Sequence, residues 1–505
     1  MNRLVVVSNR VPAPAAAGAQ AGGLAVALDA LMERRGGVWF GWSGKIAPEP
    51  ARDPQIVLAG GVEYATLDLS PEEHERYYNG FSNGTLWPLL HSMPELMQFD
   101  RRNAQVYRRV NERFADALVP VLRSGDLVWV HDYHLMAMPA MLRARGLRAP
   151  IGFFLHVPFP SADILASVPE AGALVRDLLA ADLVGFQTAN DVTNFADAAV
   201  RTGAATLGQS YGPGKSLLVG GRCVRLGAFP VEIEAHEFAE IAEAAWRAAP
   251  SERLRRSLAG QLLVLGVDRM DPTKGLIQRL GGYRRLLETR PRWRRRVTFL
   301  QIAAESRPDV AAYRDLRLTL EREAGRINSE YSEPDWMPLR LIARAGARTT
   351  MAGYMRQAAV GLVTPLRDGM NLVAKEFVAA QDPQDPGVLV LSRFAGAANQ
   401  LDAALLVNPH DPDEIADALD QALAMSLADR QARWRACWSR IEDATALAWG
   451  RTFLAALLRA AISSGRPGMR IARTIGGEAA TLSAPAMLGP RAPDDAGTAS
   501  RLRMM

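Results

Sequence analysis

Lysine is almost missing from this 505-residue chain: Lys45, Lys215, Lys274 and Lys375 are the only four among 59 basic residues, and the rest are arginine. A compact ammonium on a flexible stem is therefore used sparingly, and Lys274 and Lys375 both fall in turn-to-helix stretches, DPTKG and NLVAKE. Cysteine is scarcer still: Cys223 and Cys437 alone support neither a disulfide framework nor a cysteine zinc site. No run of about 18 apolar residues occurs, and MNRLVVVSNR lacks the apolar core of a secretory signal. The expectation is a cytoplasmic protein without membrane association. Nor is charge massed in one place. The net charge of +5 and pI near 9.3 come from dispersed basic residues, which points away from nucleic acid and weakly toward small anions.

What is present is ordinary globular material, 49% hydrophobic and 22% charged, in a chain too long for a single core. LVVVSN reads as a first strand, followed by a Pro/Ala-rich loop and by GGLAVALDALMERRGG, a helix with Gly22 and Gly23 at its start. The glycines do not form the GxGxxG dinucleotide fingerprint, which argues against a nicotinamide enzyme. VWFGWSG reads as a second strand. ERYYNGFSNGTLWP reads as a turn-rich stretch whose Tyr77, Tyr78, Phe81 and Trp87 suit either a sugar face or core packing.

DLVWVHDYHL and IGFFLHVPFP are buried strands ending in His131, Asp132 and His134 and in His156, while LVGFQTANDVTNF leads into a helix near Asn190 or Asp191. The His131, Asp132 and His134 group lacks a recognised zinc spacing. GQSYGPGKS, residues 208–216, fails as a P-loop because its spacing is one residue too long and an apolar strand follows. Near FPVEIEAHEF the alternation restarts, with QLLVLGVDRMDPTKGL, VTFLQIAAESRPDV, VGLVTPLRDGMNLVAKEF and GVLVLSRFAGAANQ. The pattern predicts an α/β protein of two doubly wound Rossmann-like domains facing a cleft. Helical patterns fill 411–463, and the Ala/Gly/Pro-rich tail 465–505 reads as disordered.

VGLVTPLRDGMNLVAKEF carries the most chemistry. A buried strand passes through RDG into a helix, and the backbone N–H groups of Met370 to Val373 should face the crevice as an anion socket. DRMDPTKG brings Arg269 and Lys274, and AAESRPD brings Arg307, to neighbouring strand ends. Cations beside a helix N-terminus describe a diphosphate site, and Glu376 on the first turns of that helix could accept from ribose hydroxyls.

VVVSNR, AGGLAVAL, GVWFGWSG, YYNGFSN, VWVHDYHL, IGFFLHVPFP, LVGFQT, DRMDPTKG, EAGRIN, TPLRDGMNLVAKEF and LSRFAGAA, in that order, resemble the trehalose-6-phosphate synthase family of retaining glycosyltransferases, from about residue 3 to 460. The resemblance implies a GT-B fold with an acceptor domain over 1–232 and a nucleotide-sugar domain over 233–464, whose last helix may cross back to the first. It implies transfer of glucose from UDP-glucose to glucose 6-phosphate, with no metal and no other cofactor. On it, Arg10 and Arg307 hold the acceptor phosphate, Tyr78 and Trp87 shape that pocket, and Asp132 binds sugar hydroxyls. Gly22 and Gly23 approach the donor. Arg269, Lys274 and the backbone of Gly369, Met370, Asn371, Leu372 and Val373 cradle its diphosphate, Glu376 takes the ribose, and Asp368 and His156 orient the transferred glucose.

The family's front-face route is implied too, since no pair of carboxylates about 5 Å apart suggests itself for a double displacement. In that route the leaving phosphate oxygen accepts the proton of the acceptor hydroxyl. Three positions depart from the family pattern: Pro272 where an aromatic residue is usual, Glu232 where glycine is usual, and Gly346 where a larger residue is usual. Nucleotide preference and self-association stay open. So do a relative with another phosphorylated acceptor and a silent sugar-phosphate sensor, although degraded donor residues would mark the sensor and here they are intact.

Overall fold

The apolar runs pair into two separate sheets in the computed structural model, which describes residues 2–12, 23–209, 214–307 and 309–463. Gly22 and the tail 465–505 lie outside the described residues. The first sheet runs, in spatial order, through Gln55–Ala59, Val62–Leu69, Gly37–Ile46, Leu4–Arg10, Leu127–His131, Ile151–Phe154, Leu183–Phe186, Arg222–Ala228, Lys215–Val219 and Thr206–Leu207. Its centre is parallel, and antiparallel partners close both edges. The second sheet is wholly parallel: Leu339–Ile342, Val297–Ala304, Leu262–Arg269, Val360–Val363, Val388–Ser392 and Leu405–Val407.

Each sheet reverses its winding once, between Leu4–Arg10 and Leu127–His131 in the first and between Leu262–Arg269 and Val360–Val363 in the second. Helices on both faces are what a parallel sheet with two buried faces requires. The crevice at the carboxyl ends beside such a reversal is where open α/β sheets bind ligands, and Arg10, Asp132, Arg269 and Asp368 all lie at or just beyond those ends. Both halves are doubly wound, as the GT-B expectation requires.

Two details depart from the sequence reading. ERYYNGFSNGTL is not a string of turns but part of a wide π-type helix, His74–Leu86, whose N-terminal neighbour Pro71–Glu73 is closed by a Ser70 and Glu73 capping box. Tyr77 and Phe81 are buried against Tyr107, so these two rings are core and only Tyr78 and Trp87 of the aromatic set remain for a ligand. Lys375 is not a ligand residue either. It sits fully buried inside the helix Leu372–Ala380 and donates to Glu232 Oε2 at 2.5 Å and to the Val231 carbonyl at 2.8 Å. Glu232, one of the departures from the family pattern, thus receives a definite role at the crossover between the sheets, with Gln400 donating to its other oxygen at 2.7 Å.

The helix Ala446–Ser463 packs on the first sheet. Gly152 and Gly185 leave room on their strands for the Phe453 ring, which a Cβ at either position would meet at 2.7 Å or 2.6 Å, and Trp129 stacks on that ring at 4.4 Å.

Candidate active site

The donor half is built by two loops of the second sheet. After the strand Leu262–Arg269, Asp271 caps a single turn, Pro272–Lys274, and Gly275 starts the helix Leu276–Thr289 in a left-handed conformation with φ +63°. A Cβ there would fall 2.3 Å from the Thr364 carbonyl oxygen, so glycine is what lets this loop press against the end of the neighbouring strand. The contact brings Lys274 onto Asp368, which it ion-pairs, and Asn371 Nδ2 donates to the same carboxylate oxygen at 3.0 Å. Asn371 is itself left-handed (φ 74°) and caps the helix Leu372–Ala380 by accepting from the Ala374 N–H at 3.2 Å. That leaves the N–H groups of Leu372 and Val373 in the first turn, which have no acceptor within their own helix, for a ligand. The Glu376 carboxyl is half-buried in the same crevice; burial pushes its pKa up to about 7 despite the opposing charge of Arg348.

The other half comes from the first sheet together with Arg307 and Tyr313, which follow the strand Val297–Ala304 of the second. Asp132 directly follows the strand Leu127–His131 and holds φ 72° and ψ 168°, a conformation that costs a non-glycine residue on the order of 1–3 kcal/mol. Its N–H donates to the Phe154 carbonyl and its Oδ1 accepts from the His156 N–H at 3.3 Å. Burial lifts the Asp132 pKa to about 6, partly offset by those backbone donors and Arg307. His156 Nε2 shares a hydrogen bond of 3.0 Å with His131 Nδ1, and burial pushes the His156 pKa down to about 3. Both imidazoles are therefore neutral and serve as hydrogen-bonding groups rather than as cations.

Arg307 also has a left-handed backbone (φ 49°). Its guanidinium lies over Trp87 at 4.1 Å, donates to Tyr133 Oη at 3.1 Å and contacts Tyr313 Oη. From there an aromatic wall leads through Tyr133, His134, Tyr78 and Trp42 to Arg10, with Tyr78 stacked on His134 at 5.8 Å and Arg10 lying 6.0 Å from the Trp42 ring. Arg10 is exposed, and no carboxylate pairs with it among the described residues. The two halves touch: a Cβ on Gly369 would lie 2.2 Å from the His156 carbonyl oxygen.

Contacts thus link Arg10, Tyr78, Trp87, Asp132, His156, Arg269, Lys274, Arg307, Asp368 and the stretch 369–373 into one cluster, whereas among the described residues no contact ties Gly23 or Glu376 to it, and Gly22 is not described. Gly23 opens the helix Gly23–Arg35. Asp271, Tyr133 and Tyr313 were missed, and His131 was named only as part of a possible metal group. Tyr133 and His131 flank Asp132 and could have been found as its neighbours, whereas nothing in the sequence links Asp271 to Trp87. Pro272 lines an apolar groove with Trp87, Met93, Val310 and Tyr313. Among the described residues no group of three or more His, Cys, Asp or Glu side chains is arranged to hold a metal ion, and no helix is long and apolar enough to cross a membrane.

Residues 3–459 match the sequence pattern of glycosyltransferase family 20. The chain belongs to that family. A trehalose-6-phosphate synthase of Sinorhizobium fredii is 46% identical over 457 residues, covering 90% of this chain and 98% of the relative. Among solved structures of family 20 type, the UDP-forming α,α-trehalose-phosphate synthase of Burkholderia xenovorans in complex with glucose-6-phosphate has a TM-score of 0.87 at 46% identity, covering 90% of this chain and 100% of the other. The Escherichia coli enzyme bound with UDP-2-fluoro glucose has a TM-score of 0.85 at 43% identity, covering 90% and 98%. The similarity therefore spans both sheets and both halves of the site.

Proposed function

We propose that this family 20 chain transfers glucose from UDP-glucose to glucose 6-phosphate with retention, giving α,α-trehalose 6-phosphate and UDP. The observation that carries the reading is the convergence of two anion clamps on one cleft, meeting where Trp87 lies against both Arg269 and Arg307. Arg269 and Lys274 stand beside the N-terminus of the helix Leu372–Ala380, and Arg10 and Arg307 stand at the two ends of an aromatic wall. Residues 1–232 form the acceptor lobe and 233–464 the donor lobe, with the last helix crossing back.

In this reading Arg269, Lys274 and the amides from Gly369 to Val373 receive the diphosphate, and Glu376 accepts from the ribose hydroxyls. Gly22 and Gly23 approach the donor from the opposite lobe. Asp368 and His156 orient the glucose, while Arg10, Arg307, Tyr78 and Trp87 hold the acceptor's phosphate and Asp132 its hydroxyls. As the bond to the diphosphate breaks, negative charge grows on the leaving oxygen, where two fixed cations and oriented amides are most useful. That oxygen takes the proton of the attacking acceptor hydroxyl on the same face of the sugar. Asp132 positions rather than attacks. The cations supply the charge neutralisation that a divalent ion provides in other transferases, so the proposed reaction is metal-independent; the compartment proposed for it is the cytoplasm.

The test is to incubate purified protein with UDP-glucose and glucose 6-phosphate in the presence of EDTA and to follow UDP and the disaccharide phosphate. Stoichiometric formation of both is expected, with ADP-glucose and GDP-glucose slower. No product with any donor would remove the enzyme reading. Arg269→Ala is expected to lower kcat by about 100-fold or more; wild-type turnover would refute its place at the diphosphate.

A further inference from the structure

The roles above leave both acids of DRMDPTKG unused; Asp268 is paired with the buried Arg279 at 2.6 Å, whereas Asp271 faces the cations of the site. Asp271 is completely buried, and burial alone would raise its pKa, yet the cations Arg269, Arg307 and Lys274 hold it below the usual carboxylate range. Its two oxygens face different neighbours. Oδ1 accepts from the Thr273 N–H at 3.1 Å, from Thr273 Oγ1 at 2.9 Å and from Trp87 Nε1 at 3.2 Å. Oδ2 accepts from Arg269 Nη2 at 3.3 Å and from Tyr313 Oη at 3.2 Å, and lies 3.9 Å from Arg307 Nη1. One oxygen is thus fastened to its own turn and to an indole from the first lobe, and the other lies between two guanidinium groups.

Those guanidinium groups share more than the carboxylate. Trp87 carries Arg307 at 4.1 Å and Arg269 at 5.5 Å from its ring centroid, so one indole and one carboxylate contact both. Two like charges brought this close repel unless an opposite charge lies between them, and removing one member of a buried charged group leaves the rest uncompensated. Tyr313 completes the link, contacting Arg307 through the same phenol oxygen that donates to Asp271.

We infer that Asp271 is a positioning residue that fixes the spacing and orientation of the donor clamp Arg269 relative to the acceptor clamp Arg307. The inference rests on the proposed transfer from UDP-glucose to glucose 6-phosphate. Asp271 touches neither substrate. It acts through Arg269 on the leaving diphosphate, whose charge grows in the transition state, and through Arg307 on a phosphate that does not react. Loss of its charge should therefore affect turnover through the first and acceptor binding through the second.

Asp271→Asn tests this, because the amide keeps the side-chain volume and an oxygen for Thr273 and Trp87 while removing the charge. Expected are a KM for glucose 6-phosphate raised about tenfold and a kcat lowered about tenfold. The KM for glucose, offered as an unphosphorylated acceptor, should not change. In an Arg307→Ala background, Asp271→Asn should add no further rise in the KM for glucose 6-phosphate, since partners acting through one another are not additive. A purely structural defect would lower the active fraction, and hence apparent kcat, without moving KM.

Wild-type constants in Asp271→Asn, a fall in kcat alone, or additive KM effects would overturn the inference. Tyr313→Phe removes the phenol joining Asp271 to Arg307 and should raise the KM for glucose 6-phosphate several-fold, by a larger factor than it lowers kcat. A wild-type KM there overturns the inference even if Asp271→Asn fails to fold. If the wild-type protein itself makes no product, the proposed function fails instead.

Discussion

At the scale of single side chains, the role proposed for Glu376 needs an ionised form that its buried surroundings disfavour. Its pKa of about 7 lies above that of a carboxyl in an unfolded chain, so the folded state binds the proton more tightly. Ionising it costs stability above pH about 7, and that cost disappears as pH falls toward the ordinary carboxylate range. Glu376→Gln is expected to stabilise the protein by about 1–2 kcal/mol at pH 8 and by nothing measurable near pH 4. The same change should raise the KM for UDP-glucose about tenfold by removing charge-assisted hydrogen bonds to the ribose. Denaturant titrations at the two pH values, together with initial rates, check both halves.

Asp132, lifted to about 6, accepts most strongly from the sugar hydroxyls of its proposed role when ionised. The profile of kcat/KM should therefore fall on the acid side with an apparent pKa between about 6 and 7. A flat profile down to pH 5 would contradict the placement of both carboxyls at the site.

Among the elements, the loop that carries Gly369 tests whether the halves of the site must meet. A Cβ 2.2 Å from the His156 carbonyl oxygen is below any sustainable contact, so Gly369→Ala should hold the cleft apart. The expected result is a loss of about 100-fold in kcat with UDP binding largely retained, since a displacement of about 1 Å has that effect on a reaction that depends on alignment. Calorimetric titration with UDP and a turnover assay separate the two quantities.

The same loop was legible in the sequence because a buried strand, RDG and an apolar helix follow one another without a break. Arg269, Lys274 and Asp368 could be proposed because each sits at or shortly after a strand end, and Glu376 because it lies in the first turns of the helix Leu372–Ala380. The helix His74–Leu86 was not legible. Its Asn and Gly residues disfavour a helix locally, and only burial of Tyr77, Asn79 and Phe81 against distant elements overrides that preference. Asp271 was missed for a related reason. Its meaning depends on Trp87 and Arg307, which no local pattern ties to it. Lys375 misled as a hint of ligand binding because its partner, Glu232, lies on a different stretch of chain.

For the whole molecule, the buried pair of Lys375 and Glu232 joins the donor-side helix to the chain segment passing between the lobes. Lys375→Met strands a carboxylate next to Val231 and should cost about 3–5 kcal/mol, visible as a lower denaturant midpoint. Combining it with Glu232→Gln should recover most of that loss, because no uncompensated charge then remains. A single variant as stable as wild type would mean that the pair is solvated in solution. The two-sheet plan itself was readable from the alternation of strands and helices. The return of the last helix to the first domain was implied by the family resemblance alone; no residue pattern pointed to its seat on the sheet, which depends on Gly152 and Gly185 leaving space for Phe453.

That returning helix means the polypeptide passes between the lobes twice, once between Ala228 and Ala235 and again between Trp438 and Ala446. The two passages are fastened together where Trp449 Nε1 donates to the Phe229 carbonyl at 3.1 Å. A lobe tethered at one point could swivel in three angles. A second tether beside the first removes much of that freedom, so opening and closing are expected to follow mainly one hinge rotation, and a single distance between labels on the two lobes should track it.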